Sequence, residues 1–198
     1  MRSTTPRDLS GHCPRCLLQL EICVCSVLPC VPARTEVVLL RHITEQRLTS
    51  NTGRFAALAL PSACILEYGG GELFDATPLT APGTALLYCS GPPRPLSFVP
   101  TRLVVLDGSF RQARRMYKRV PELRELPELA LPAPRVTPTR LRRPPRPEGM
   151  STIEAIASAL SALEGPELAA PLWALHAELV RRADRMRGRK REIVVSGP

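Results

Sequence analysis

Cys13 and Cys16, separated by a six-residue loop from Cys23 and Cys25, are spaced as Cys-x2-Cys and Cys-x-Cys. Zn(II) holds thiolates at about 2.3 Å, and two short chelating pairs joined by a loop bring four sulfurs to one centre without strain. The alternative is two disulfides or scattered buried thiols. It is weakened because residues 1–30 contain no secretory apolar segment, so no oxidising destination is expected. Cys30 and, more distantly, His12 are possible substitute ligands. Cys64 and Cys89 lie in apolar runs and read as ordinary buried side chains.

A second chemical feature is the apolar run Leu103 to Leu106, which ends in Asp107-Gly108-Ser109-Phe110. In open α/β sheets ligands bind outside the carboxyl ends of strands, so Asp107 is placed like an active-site acid. Ser109 with Gln112 also forms the S-x-x-Q pattern of a helix capping box, and a capped helix start offers N–H donors to an anionic group. Ser151 and Glu154 repeat the pattern, where a structural cap and a ligand contact are equally supported. Residues 41–54 are dense in His, Arg, Glu and short polar side chains, among them His42, Arg47 and Arg54. Ser50 or Asn51 is a candidate helix cap there.

Hydrophobic patterning supplies the elements that must position these groups. Thr35 to Leu40, Ala63 to Leu66, Thr84 to Cys89 and Arg102 to Leu106 are short continuous apolar runs, suited to a parallel sheet covered on both faces. Leu129 to Leu131 is a further short candidate strand. Helices are expected from Asn51 to Leu60, from Arg111 to Val120, from Thr152 to Glu164, and from about Glu167 until Gly188, with Gly165-Pro166 breaking the last two apart. Pro132 to Pro147 is too rich in proline for helix or central strand and reads as a loop.

The chain has 27 Lys and Arg against 18 Asp and Glu, a formal net charge of +9, with Arg outnumbering Lys. Planar guanidinium groups favour bidentate phosphate contacts, so nucleic acid is the expected partner. The charge clusters at 111–119, 135–146 and 181–191. No apolar stretch approaches the roughly 20 residues that span a bilayer, so a cytoplasmic protein with no membrane association is expected. A Walker loop, a G-x-G-x-x-G fingerprint and a serine-hydrolase elbow are all missing.

The cysteine pairs, the block from His42 to Arg54, the segment Leu106-Asp107-Gly108-Ser109-Phe110-Arg111-Gln112-Ala113 and the segment Ser151-Thr152-Ile153-Glu154-Ala155, in this order, resemble the DTW-domain family over about residues 12–180. The resemblance implies a tRNA-uridine aminocarboxypropyltransferase, which moves the 3-amino-3-carboxypropyl group of S-adenosylmethionine to N3 of a tRNA uridine and releases 5′-methylthioadenosine. It also implies a knotted, SPOUT-like α/β fold with a mostly parallel sheet and helices on both faces. The expected organisation is a zinc module at 1–33, a catalytic domain at 34–188 and a basic tail at 189–198. Where the family carries Asp-x-Thr-Trp, this chain has Asp107, Gly108, Ser109 and Phe110, keeping the acid and a hydroxyl but losing the indole N–H donor.

On this resemblance Asp107 is the general base or the residue that orients the uracil. Tyr88, Ser90, Gly91, Ser109, Phe110, Ser151 and Thr152 are expected at the S-adenosylmethionine site by their placement in loops. His42, Arg47, Arg54, Arg111, Arg114 and Arg115 are expected to meet RNA, and Cys13, Cys16, Cys23 and Cys25 to hold structural zinc. The rival readings are a zinc-containing SPOUT-type RNA methyltransferase and a non-catalytic zinc-dependent RNA-binding protein. Monomer and homodimer both stay open.

Overall fold

The computed structural model describes residues 9–71, 74–88, 96–131, 141, 149–186 and 188. Four parallel strands form the sheet: β1 (Glu36–His42), β2 (Ala63–Tyr68), β3 (Thr84–Leu87) and β4 (Arg102–Asp107), in the order β2-β1-β4-β3. The helices are α1 (Thr52–Ala59), α2 (Phe110–Arg119), α3 (Pro121–Glu125), α4 (Thr152–Glu164) and α5 (Pro166–Met186). The expected run at Leu129 to Leu131 contracts to a single parallel bridge from Glu128 to Leu86. There Leu86 N–H donates to the Pro127 carbonyl and Leu129 N–H to the Leu86 carbonyl.

Side chains alternate across a strand, so each apolar run serves two cores. Val37 and Leu39 of β1 and Leu103 and Val105 of β4 pack with α1, α4 and α5, whereas Val38, Leu40, Val104 and Leu106 face Ala113 and Met116 of α2 and Leu123 of α3. Burial on both faces is why these strands read as unbroken apolar runs. The apolar sides of α4 and α5 are spent on the first core. Cys64 departs from expectation: β2 is an edge strand, and the thiol is exposed beyond the covering helices. Cys89 lies outside the described residues. No helix of the described chain is long and apolar enough to cross a membrane.

The cysteine segment is built onto this body rather than hung from it. Cys13, Cys16, Leu18 and Val24 belong to the same core as Phe55 of α1 and Leu160 of α4. Arg182 of α5 donates to the Cys23 carbonyl.

Candidate functional site

Two clusters of ionisable side chains stand out. In the first, Leu17 takes φ 60°, the one positive φ of a non-glycine residue in the described chain, and turns the backbone just after Cys16. Leu17 N–H then donates to the Cys13 carbonyl (2.8 Å) and Cys13 N–H to the Leu18 carbonyl (2.7 Å). The four sulfurs of Cys13, Cys16, Cys23 and Cys25 lie within 4.8 Å of one another. Cys13 and Cys25 are 3.6 Å apart, and Cys16 and Cys23 are 3.7 Å apart. A tetrahedron with 2.3 Å zinc–sulfur bonds has edges of about 3.8 Å, so the donor set fits that ion. The Cys16 backbone N–H, the largest influence, helps pull the Cys13 thiol down to about 6, while burial pushes Cys16 and Cys25 up. Cys30 is exposed and outside the cluster, and His12 meets the Ser10 carbonyl instead.

The second cluster gathers at the carboxyl ends of β1 and β4, where Arg41 lies in register with Asp107. Asp107 is 2% exposed. Its Oδ2 accepts from Asn51 Nδ2 at 2.7 Å, and its Oδ1 accepts from Thr152 Oγ1 at 2.7 Å. Asn51 caps α1, with its Oδ1 accepting from Arg54 N–H at 2.8 Å, so its amide can present only Nδ2 to the carboxylate. One carboxylate thereby joins the starts of two helices. Gly53 is part of the same fit, because a Cβ there would stand 2.6–2.7 Å from the Asp107 carboxyl atoms. Burial raises the Asp107 pKa; the bonds from Asn51 and Thr152 and the Arg41 charge oppose it, while Glu45 adds to it.

Around this centre the sequence-derived candidates divide. Ser109 caps α2, with its N–H donating to Gln112 Oε1 (2.7 Å) and Gln112 N–H to Ser109 Oγ (3.3 Å), which realises the expected capping box. Phe110 follows with half its surface exposed. Ser151 N–H donates to Glu154 Oε2 at 2.8 Å and Ser151 Oγ faces the Glu154 backbone N–H, so the expected capping box at the start of α4 is present. Arg47, Arg111, Arg114 and Arg115 are exposed, the last three on α2. Arg54 is buried, and its guanidinium donates to the Leu48 carbonyl (3.0 Å) and to the Gln46 carbonyl. Its charge closes the 43–51 loop and is not offered to phosphate. The rings of Tyr88 and Tyr117 lie 4.8 Å apart, tilted by 35° to one another. Ser90, Gly91 and the basic stretches at 142–146 and 189–191 lie outside the described residues.

In the sequence, Asn51 and Gln112 read only as helix caps, and Gly53 and Thr44 are not among the candidate residues. Gly53 carried a signal, since glycine in a helix costs about 1 kcal/mol against alanine and so marks close approach. Asn51 and Gln112 carried none beyond their capping positions, because their second partners come from distant segments.

Comparison with known proteins converges on one family. The DTW domain model matches residues 10–183, a span that includes the cysteine cluster. The chain is 30% identical to tRNA-uridine aminocarboxypropyltransferase 2 of Drosophila melanogaster over 182 residues, covering 84% of this chain and 72% of that protein. It is 26% identical to the Macaca fascicularis protein of the same name, covering 80% of this chain and 58% of the relative. It is 29% identical to tRNA-uridine aminocarboxypropyltransferase A of Arabidopsis thaliana, covering 54% and 50%. No solved structure matches. With the model spanning the cysteine cluster, the Asp107 centre and the start of α4, the chain belongs to the DTW-domain family.

Proposed function

We propose that this protein is a tRNA-uridine aminocarboxypropyltransferase acting at the strand ends around Asp107. The relatives' shared name supports the reaction class. The observation that carries the site is the buried Asp107 carboxylate held between the starts of α1 and α4. S-adenosylmethionine supplies a sulfonium-activated carbon, to which uridine N3 bonds as the carbon–sulfur bond breaks and methylthioadenosine departs. Ser151 at the capped start of α4 lies beside Thr152, which bonds Asp107, and Phe110 offers an exposed aromatic face for a base or adenine. Ser109, Thr152, Tyr88, Ser90 and Gly91 complete the proposed donor site.

The chain's own task is the N3 proton. Asn51 always donates to Oδ2, so the proton-accepting oxygen of Asp107 is Oδ1, and the Thr152 hydroxyl can reverse from donor to acceptor. Thr152 therefore passes a proton to Asp107 as it takes one from N3. Burial, by raising the carboxyl pKa, makes Asp107 a better acceptor. Arg47, Arg111, Arg114 and Arg115 draw in tRNA phosphates, and Zn(II) on the four cysteines stiffens the first core. The knotted SPOUT-like path belongs to the same proposal, supported by the parallel sheet with its polar groups gathered at the carboxyl ends.

Incubating tRNA from a strain lacking the protein with S-adenosylmethionine tests this. The expected result is an aminocarboxypropyl mass on uridine with methylthioadenosine released; a methyl mass with S-adenosylhomocysteine would make it a methyltransferase, and binding without mass gain a passive RNA binder. Asp107→Asn should lower kcat by about 10²–10⁴ while the protein still folds, since asparagine can accept from Asn51 and donate to Thr152. Full activity in that variant removes Asp107 as proton acceptor.

A further inference from the structure

His42 closes β1 one residue beyond Arg41, so its ring lies on the α2 side of the sheet. Three donors surround its Nδ1. They are the Thr44 backbone N–H at 3.3 Å, the Thr44 hydroxyl at 2.8 Å and Gln112 Nε2 at 3.3 Å. Backbone and amide N–H groups can only donate, so Nδ1 must present its lone pair. The Gln112 amide is not free to turn round, because its Oε1 accepts from Ser109 N–H at 2.7 Å, which leaves Nε2 toward Thr44 Oγ1 (2.6 Å) and His42. The hydrogen of a neutral His42 ring therefore sits on Nε2, and nothing among the described residues accepts it. Burial, the largest influence, keeps the ring below its ordinary 6.5; Glu45 opposes this and Arg115 of α2 adds to it.

We infer that His42 is a neutral imidazole whose Nε2–H donates to a carbonyl oxygen of the reacting uracil, and that Gln112 is the positioning residue that sets this tautomer. The inference rests on the transferase reading above. An Nε2–H donor calls for an oxygen acceptor, and the reaction offers two sources: the carbonyls that flank N3 and the carboxylate of the sulfonium donor. His42 shares its face with α2, whose Arg111, Arg114 and Arg115 are exposed, and its Cβ lies 3.6 Å from where a Cβ on Gly108, the residue after Asp107, would stand, so it flanks the Asp107 strand end on the RNA side. As N3 loses its proton, charge spreads onto the flanking carbonyl oxygens. A fixed neutral donor there stabilises the developing anion more than the ground state. The α2 capping box thus does two jobs, closing the helix start and orienting a ring on another strand.

Histidine-selective ¹⁵N NMR on the full chain reads the tautomer without any substrate. The expected spectrum at pH 7.5 has hydrogen on Nε2 and none on Nδ1 of His42; hydrogen on Nδ1 overturns the inference outright. Gln112→Glu retains an oxygen for Ser109 N–H, and with it the cap, but turns an acceptor toward Nδ1. It should move hydrogen onto Nδ1 and lower kcat by about 10²–10³ with little change in KM. His42→Gln, which keeps an amide donor, should retain more activity than His42→Leu; equal loss counts against a donor role. Adding unmodified tRNA alone should shift the Nε2–H signal. A shift with S-adenosylmethionine alone overturns the uracil contact in favour of the donor's carboxylate. No mass gain on tRNA from a protein with the expected tautomer overturns the transferase reading, and the uracil contact with it.

Discussion

The cysteine cluster and the Asp107 cluster both concentrate ionisable groups in a few ångströms, yet they are satisfied in opposite ways. Asp107 finds its partners within the chain, with an amide, a hydroxyl and a glycine cleared to make room. The four sulfurs crowd one another, at 3.6 and 3.7 Å in the two closest pairs, with backbone N–H groups on Cys13 and Cys16. Four cysteine sulfurs this close could hold a metal ion, which would favour their thiolate forms, whereas the Asp107 carboxylate is satisfied without one. The difference separates a cluster that could hold a metal ion from a carboxylate whose partners are all supplied by folding.

The largest effect expected from breaking this contrast is at the cysteine cluster. Cys16→Ser, or prolonged chelation of the wild type, should cost about 4 kcal/mol or more of stability, read as a fall in Tm, because Cys13, Cys16 and Val24 lie in the main core. Equal Tm with and without metal would place the cysteine segment beside Asp107 as a self-sufficient cluster.

Next in size is Gly53→Ala. Alanine would gain about 1 kcal/mol of helix propensity, but its Cβ meets a carboxylate pinned from two sides, and overpacking of that kind costs about 1–3 kcal/mol. Urea denaturation should show a net loss of about 1 kcal/mol, with activity falling as Asp107 is displaced.

The smallest effect is in pH dependence. Because burial raises the Asp107 pKa above 3.8, the folded state holds the proton more tightly than the unfolded one. Its contribution is full below 3.8 and is lost as pH rises through the folded value. The stability difference between wild type and Asp107→Asn should therefore move in favour of the variant as pH rises above 3.8. A flat difference would mean that the bonds from Asn51 and Thr152 cancel the desolvation. Glu178, pulled down to about 2 chiefly by Arg181, titrates lower and with the opposite sign, and it cancels in that difference.

Much of the frame was legible in the residues. Strand β4 was read to within one residue, α4 has the expected bounds, and Gly165 ends α4 at φ 101° as the break before Pro166. The short helix α3 was not read, its five residues being too few for a periodic signal. The site was legible only in part. The position of Asp107 at the end of β4 was legible because a polar residue ending a buried apolar run is a local pattern. Arg54 was misplaced, because whether an arginine meets solvent or two carbonyls of its own loop depends on how that loop folds back.

By itself the order of residues determined the spacing of the four thiols, the apolar runs buried on both faces and the helix caps, because each depends on neighbours a few positions apart. Only the tertiary structure decided that Asn51, Gly53 and Thr152 meet at Asp107 and that Gln112 reaches His42. Those contacts join positions 45 to 70 residues apart, and no local rule of spacing brings such side chains within hydrogen-bonding distance.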